Sequence, residues 1–234
     1  MPTGAMSTGA MPTGILLAGA SGLTGGILTR RFSGRADIAL LSLVRTPRNA
    51  GETAMDFEAL TADPAGMMAK IGAGKIDVGI CCLGTTIRKA GSQDAMRRID
   101  HDYAVATAQA ARACGARQFI LMSSVGAGSQ GFYLQLKGET EADIAALGFE
   151  RFDILRPSLL LGDRAERRLA EQLGQMIAPL LNPLLLGGLD KYRAIPAEAV
   201  ATAILRLIGA PAPGKHVHEY RDLLSLAASG LGNA

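Results

Sequence analysis

The chain has 234 residues and a mass of 24.3 kDa. Because domains commonly hold roughly 100 to 200 residues, this length favours one domain over two. Hydrophobic residues make up 48% of the chain and charged residues 19%, a balance that excludes disordered and fibrous classes. The formal net charge is only +3 and the basic residues are dispersed, so we expect no nucleic-acid partner.

The N-terminus and the cysteines bear on the cellular compartment. Residues 1–13 include a repeated Met-Pro-Thr sequence and lack the charged and apolar regions of a targeting signal. We expect residues 1–13 to be a disordered leader, or an upstream start with Met6 or Met11 as the true first residue, ahead of a domain over residues 14–234. The three cysteines have no spacing typical of a disulfide framework or metal site, which favours a reducing cytoplasm. No apolar stretch is long enough to span a bilayer, so we expect no membrane contact.

A glycine pattern near the N-terminus predicts a dinucleotide site. The apolar run from Ile15 to Ala18 is typical of a buried strand, and Gly19, Gly22 and Gly25 carry it into a helix over about Gly25 to Phe32. These glycines would permit a tight turn, backbone approach to a pyrophosphate and close packing of helix on strand. A Gly-rich turn between any strand and helix is the alternative. The candidate cofactor contacts are Gly19, Ser21, Gly22, Leu23, Thr24 and Gly25.

The second predicted strand, Ile38 to Val44, is followed by two arginines. Arg45 lies at the position where an acidic residue would bind the ribose of NAD and where a guanidinium suits a 2′-phosphate, and Arg48 is close behind. This favours NADP over NAD, although arginines are also common in solvated loops. Asp56 could end a short third strand and flank the adenine, or belong to a plain surface loop.

A third candidate contact region follows the predicted strand from Ile76 to Leu83. Gly84, Thr85 and Thr86 come directly after it, at the strand end where ligands of open parallel sheets bind. A Thr-rich turn that caps a helix would have the same sequence.

The next two elements are predicted from periodicity. An Ala-rich helix runs from Ser92 to Ala113, and a strand runs from Gln118 to Ser124. His101 lies within the helix and is expected at its surface or in a capping role. The helix has one apolar face, formed by Met96, Ile99, Tyr103 and Ala106.

Tyr133 and Lys137 carry the predicted chemistry. They are four residues apart on a predicted helix and share one face. An ammonium lowers the pKa of a neighbouring phenol from about 10 toward neutrality, which makes Tyr133 a candidate general acid or base. A serine at the preceding strand end, Ser124 or Ser123, can hold the substrate oxygen.

These residues resemble the short-chain dehydrogenase/reductases, over nearly the whole chain after the leader. Within that superfamily, the segments after Leu83 and Tyr133 look most like the Tat-interacting-protein oxidoreductases. The resemblance is carried by Gly19-x-x-Gly22-x-x-Gly25, Leu83-Gly-Thr-Thr86, Lys89-Ala-Gly-Ser92, Ser123-Ser124, Tyr133-x-x-x-Lys137 and the strand Phe152 to Pro157.

The resemblance implies roles for several residues. Ser124, with Ser123 as the alternative, would orient the substrate, Tyr133 would donate or accept the proton, and Lys137 would bind the nicotinamide ribose. Pro157 would lie near the nicotinamide. The implied cofactor is NADPH.

The C-terminal third is expected to complete the domain. The stretch from Glu166 to Leu189 suits a substrate lid or dimer surface, and a closing helix begins near Ile195. His216 and His218 alternate around Val217 as in a short final strand, with outward, solvated imidazoles rather than a metal site.

Together these patterns predict a single α/β domain of Rossmann type, with a doubly wound, mostly parallel sheet in strand order 3-2-1-4-5-6. The favoured function is NADPH-dependent oxidoreduction of a small carbonyl compound by a monomer or homodimer. An NADP(H)-binding sensor without significant turnover is the second hypothesis, favoured by the short spacing between Ser124 and Tyr133. A nucleotide-sugar epimerase or dehydratase is a weaker third, because the C-terminal third is short.

Overall fold

A computed structural model describes residues 11–162 and 187–229. The strands are β1 (Thr13–Ala18), β2 (Ile38–Val44), β3 (Glu52–Ala54), β4 (Val78–Cys81), β5 (Gln118–Met122), β6 (Arg151–Leu155), β7 (Leu160–Leu161), β8 (Ile195–Pro196) and β9 (Gly214–His218). The α-helices are α1 (Leu23–Phe32), α2 (Phe57–Ala62), α3 (Pro64–Lys70), α4 (Ile87–Ala90), α5 (Gln93–Arg97), α6 (Tyr103–Ala113), α7 (Phe132–Ala146), α8 (Ala197–Leu207) and α9 (Tyr220–Ala228). A π-helical turn, Arg98–Asp102, joins α5 to α6, and a 3₁₀ helix covers Gly187–Tyr192.

The main sheet has seven parallel strands in the order β3-β2-β1-β4-β5-β6-β9. The predicted single α/β domain with a doubly wound sheet is confirmed, and β9 extends the predicted order by one edge strand. The order reverses between β1 and β4, and the carboxyl ends of strands beside such a switch point form the usual binding crevice.

Alternation along β1 explains why helices cover both faces of this sheet. Leu16 and Ala18 pack into one core cluster with α2, α3, α6 and α7, whereas Ile15 and Leu17 pack into a second with α1, α8 and α9. Both faces are apolar, so each must be covered by helices. The strand therefore lies fully buried and fixes the glycine loop at its end.

Several predicted boundaries differ from the structure by a few residues. Helix α1 begins at Leu23, two residues before the predicted start, and the strand predicted from Ile76 to Leu83 shortens to β4. The apolar residues around β4 are buried in the connections as well as in the strand, and hydrophobicity alone does not separate the two.

The helix predicted from Ser92 to Ala113 is helical but not uniform. The π turn at Arg98–Asp102 adds a residue to one turn, and this shifts the buried face. Asp100 becomes 1% exposed, while Ile99, which the regular period places on the apolar face, is only half-buried. The turn therefore brings a carboxylate into the interior.

The prediction of outward, solvated histidines in β9 is wrong for His218. Its Nε2 lies 2.9 Å from Oδ1 of Asp153, whose side chain is fully buried, while Val217 is 40% exposed. His218 therefore points inward to Asp153 on β6, because a buried carboxylate requires hydrogen-bond donors.

Some sequence expectations fall partly outside the described residues. Residues 1–10 of the leader predicted over 1–13 lie outside the described residues. Thr13, also predicted in the leader, belongs to β1 and pairs with β2. Residues 166–186 of the predicted lid also lie outside the described residues. Within the described ranges the three cysteines are free, no group of His, Cys, Asp or Glu could hold a metal, and none of the helices could cross a membrane.

Candidate active site

The first glycines close the turn between β1 and α1. Gly19 has φ +89°, and a Cβ there would lie 2.5 Å from the carbonyl carbon of Cys82. A Cβ on Gly25 would lie 2.1 Å from the Gly19 oxygen. Both positions therefore require glycine, for backbone conformation and for close approach of helix to strand.

Gly22 differs because a side chain there would meet a single backbone atom and at a longer distance. Its backbone is extended, and a Cβ would approach only the Gly19 oxygen, at 3.3 Å. Gly22 caps α1 without a side-chain hydrogen bond, and the buried Thr24 Oγ1 has no hydrogen-bond partner among the described residues. Free amides at a helix N-terminus and an unpartnered hydroxyl suit a phosphate group. The loop thus fits the diphosphate of a dinucleotide.

A cavity of about 300 Å³ lies beside this loop. Its walls come from the start of α1, the ends of β4, β5 and β6, and the first turns of α7. The predicted site residues on its wall are Gly22, Leu23, Thr24, Gly84, Thr85, Thr86, Ser123, Ser124, Tyr133, Lys137 and Pro157. Most of the separately predicted contacts therefore share one cavity.

Lys137 is buried beside Tyr133 on α7. Its Nζ lies 5.7 Å from the centre of the Tyr133 ring and 2.8 Å from Oδ1 of Asp100. Burial alone would lower the pKa of Lys137, but Asp100, joined by Tyr133 and Cys81, more than offsets burial and raises that pKa above its usual value. Lys137 is accordingly held as an ammonium.

Asp100 is the site residue that the sequence analysis missed. Its Oδ2 accepts a hydrogen bond from the Thr85 backbone N–H at 2.8 Å, and its backbone oxygen accepts one from Thr140 Oγ1 at 3.3 Å. The sequence signal for Asp100 is an acidic residue within an Ala-rich helical pattern. A regular helical period does not place that residue in the interior, so the sequence alone did not identify it.

The two serines at the end of β5 have different environments. Ser123 Oγ donates a hydrogen bond to Oε1 of the buried Glu141 at 2.5 Å, and Glu141 also pairs with Arg156. Among the described residues, Ser124 Oγ makes only a 3.4 Å contact with the Val125 oxygen. Ser124 is thus the serine whose hydroxyl is available to a ligand in the cavity.

The two predicted phosphate-binding arginines do not line the cavity and differ in their partners. Arg48 forms an ion pair with Glu52 at 2.6 Å and also donates to the Ala20 oxygen at 3.3 Å. The Glu52 carboxylate raises the pKa of Arg48. Arg45 is exposed after β2 and forms no ion pair within the described ranges. Arg45 therefore has no ion-pair partner in the described part of the chain. Arg48 instead stabilises the loop between β1 and α1 through the Ala20 oxygen.

Asp56 and Thr86 both act as helix caps. Asp56 Oδ1 accepts from the backbone N–H groups of Glu58 and Ala59, and Asp56 lies off the cavity. Thr86 Oγ1 accepts from the backbone N–H of Lys89 while Thr86 also lines the cavity. The capping alternative and the cavity position are thus both observed for Thr86.

A family model described as NAD(P)H-binding matches residues 19–211. The chain belongs to this NAD(P)H-binding family. Protein HTATIP2 of Rattus norvegicus is 34% identical over 230 residues, which cover 93% of this chain and 90% of that protein. The resemblance to the Tat-interacting-protein oxidoreductases is thereby confirmed.

The expected cytoplasmic location is contradicted by further relatives of this NAD(P)H-binding chain. Protein FMP52 of Eremothecium gossypii, named mitochondrial, is 30% identical over 215 residues, covering 91% of this chain and 88% of that protein. The relative from Aspergillus niger also carries the name mitochondrial. Free cysteines indicate a reducing environment, and reduced thiols alone do not distinguish the cytoplasm from other reducing compartments.

Solved structures of similar fold support the same Rossmann architecture. UDP-glucose 4-epimerase of Thermotoga maritima has a TM-score of 0.66 at 14% identity, over 93% of this chain and 82% of that one. The dTDP-4-dehydrorhamnose reductase of Bacillus anthracis, in complex with NADP, has a TM-score of 0.62 at 15% identity, over 91% and 76%. At these identities the likeness shows the fold alone.

Proposed function

We propose that this chain is an NADPH-dependent oxidoreductase of the short-chain dehydrogenase/reductase type that acts on a small carbonyl compound. The supporting observation is the shared cavity, where Ser124, Tyr133 and Lys137 meet the glycine loop. A binding protein needs the loop, but it does not need a phenol, a buried ammonium and an available hydroxyl at one place. A single cavity that holds all three favours turnover.

The proposed chemistry divides between cofactor and protein. When bound, the nicotinamide supplies a hydride to the substrate carbon. Tyr133 Oη gives its proton to the substrate oxygen, so the carbonyl becomes an alcohol, and the phenol regains a proton from solvent because Tyr133 is 38% exposed. Ser124 holds the same oxygen by a hydrogen bond, and the Lys137 ammonium stabilises the phenolate that forms.

The glycine loop and α1 would hold the cofactor diphosphate. Thr24 Oγ1 gains the partner that it lacks, and the lack of a side chain at Gly22 lets the backbone approach. Arg45 would pair with the 2′-phosphate that separates NADPH from NADH. With the diphosphate held there, Tyr133 and Pro157, which both line the cavity, would be the residues that meet the nicotinamide end.

The test is turnover of a panel of aldehydes, ketones and quinones with the parent chain and Tyr133→Phe. We expect Tyr133→Phe to reduce turnover of aldehydes and ketones about 100-fold or more while NADPH affinity is retained, because only the transferable proton is lost. Tyr192→Phe, at an exposed tyrosine that does not line the cavity, is the matched control. Its turnover and NADPH affinity should equal those of the parent chain.

The outcome separates the enzyme from the sensor hypothesis. A parent chain that binds NADPH tightly yet is silent across the panel would contradict the proposal and favour the sensor. The epimerase-type hypothesis concerns an activity named for a protein of the same fold, UDP-glucose 4-epimerase, and that likeness shows the fold alone. Conversion of a nucleotide sugar without net consumption of cofactor would favour it instead.

A further inference from the structure

The buried carboxylate of Asp100 joins two parts of the site that come from different segments. Its Oδ2 accepts from the Thr85 N–H at 2.8 Å, and its Oδ1 lies 2.8 Å from Lys137 Nζ. Thr85 belongs to the loop after β4, and Lys137 belongs to α7. The two carboxylate oxygens therefore fix the two segments relative to each other.

We propose that Asp100 is a positioning residue for the cofactor, which holds the Lys137 ammonium in register with the Gly84–Thr86 loop and keeps it charged into the alkaline range. The proposal rests on the cofactor site proposed above but does not depend on turnover. It predicts a pH dependence of NADPH binding that a purely structural role for Asp100 would not produce.

Burial makes this counter-charge necessary. The Asp100 side chain is fully buried and that of Lys137 is 5% exposed. An ammonium buried without an anion releases its proton, because the low-dielectric interior disfavours the charged form. Asp100 is the sole acidic side chain on the cavity wall among the residues that the structure describes.

The other titratable groups near Lys137 contribute less than Asp100. Tyr133 on the same helix and Cys81 at the end of β4 also raise the pKa of Lys137, but the charge of Asp100 is the larger cause. Cys82 lies beside Cys81, and Lys89 reaches the cavity from α4. Burial raises the pKa of Cys81 to about 11 and also raises that of Cys82, so both thiols stay neutral at neutral pH. Lys89 adds a positive charge to the cavity wall, and this charge disfavours the ammonium form of Lys137.

The π turn explains how a helix can place a carboxylate here. Arg98–Asp102 turns Asp100 inward. Thr140 Oγ1 on α7 donates to the Leu136 oxygen at 2.8 Å and lies 3.3 Å from the Asp100 backbone oxygen. The turn therefore packs against the helix that carries Lys137, and the ion pair with Lys137 is its main polar link to that helix.

The experiment measures the NADPH dissociation constant of the full chain by calorimetry between pH 7 and pH 10. Asp100→Asn keeps the shape and an oxygen to accept from Thr85 but removes the charge. We expect its affinity to be within about threefold of the parent at pH 7 and to fall at least about tenfold further by pH 9, as Lys137 deprotonates. Asp94→Asn, at an exposed position on α5, is the control and should follow the parent.

A double variant assigns the effect to the pair. In a Lys137→Met background, Asp100→Asn should no longer add any pH dependence, since the titrating group is gone. A loss that is equal at every pH, or one that persists in that background, would overturn the proposal in favour of a structural role.

The parent chain provides a measurement that needs no variant to fold. With Asp100 present, its NADPH affinity should stay level up to pH 10, because the pKa of Lys137 is raised above the ordinary lysine value of 10.5. A decline already complete by pH 9.5 would contradict the proposal. A parent chain that binds neither NADPH nor NADH would overturn this inference and the proposed function together, whereas binding without turnover would remove only the latter.

Discussion

The Ser123 hydroxyl donates to Glu141 Oε1 at 2.5 Å, on the buried side of the cavity wall. Glu141 is itself paired with Arg156 from the end of β6, and this pair raises the pKa of Arg156. The Ser123 proton is thus committed to the protein interior. The adjacent Ser124 is left to interact with a ligand, although the two serines are equivalent in sequence pattern.

The serine pair gives the first prediction. Ser124→Ala should lower turnover of a carbonyl substrate about tenfold or more, because it removes a hydrogen bond to the reacting oxygen. Ser123→Ala should change turnover by less than about threefold and instead cost about 1 kcal/mol of unfolding free energy. Steady-state kinetics and thermal unfolding of both variants test this. A larger kinetic loss in Ser123→Ala would reverse the assignment.

Gly22 and Gly19 should respond differently to a side chain. Gly22→Val should fold, since its backbone is extended and its Cβ would meet only the Gly19 oxygen, at 3.3 Å, yet it should abolish NADPH binding because the side chain fills the diphosphate space. Gly19→Val should unfold the chain, given φ +89° and a 2.5 Å approach to the Cys82 backbone. Calorimetric titration and circular dichroism distinguish the two losses. Normal NADPH binding by Gly22→Val would mean that the loop is only a turn.

Arg45 is the predicted determinant of cofactor choice. NADPH should bind more tightly than NADH, and Arg45→Asp should reverse the order, because a cation is replaced by a carboxylate that repels the 2′-phosphate. Arg206→Asp makes the same change at an exposed position on α8 and should leave the preference intact. Titration of the parent chain and both variants with NADPH and with NADH measures this preference. Equal affinities in the parent chain would refute the role of Arg45.

Features with a local signature were predictable from sequence. An unbroken apolar run followed by spaced glycines can hardly form anything but a buried strand and a tight turn, and Tyr133 and Lys137 share a helix face by spacing alone. Asp100 and Glu141 lack such a signature. Asp100 is buried only because a π turn shifts the helix, and Glu141 is buried because Arg156 and Ser123 approach it from distant strands. Long-range partners decide which charged residues lie inside.

The last prediction concerns a second buried carboxylate, Asp153 on β6. Its side chain is fully buried and accepts hydrogen bonds from Arg151, Gln118 and His218. Burial opposes its charge, but these donors outweigh burial and lower the pKa of Asp153 below 3.8. A lowered carboxyl pKa contributes stability above the unfolded value of 3.8 and loses it as pH falls through the folded value.

Asp153→Asn should therefore destabilise the chain by about 3 to 5 kcal/mol near neutral pH, because Arg151 stays buried without its anion. The difference from the parent should narrow as pH falls below 3.8, where Asp153 itself takes up a proton. Denaturant unfolding at several pH values measures both effects. Asp37→Asn, at an exposed pair with Arg35, should leave the free energy of unfolding nearly unchanged, because solvent screens that pair. If the two variants were equally stable at neutral pH, the buried network would not contribute the stability that its geometry indicates.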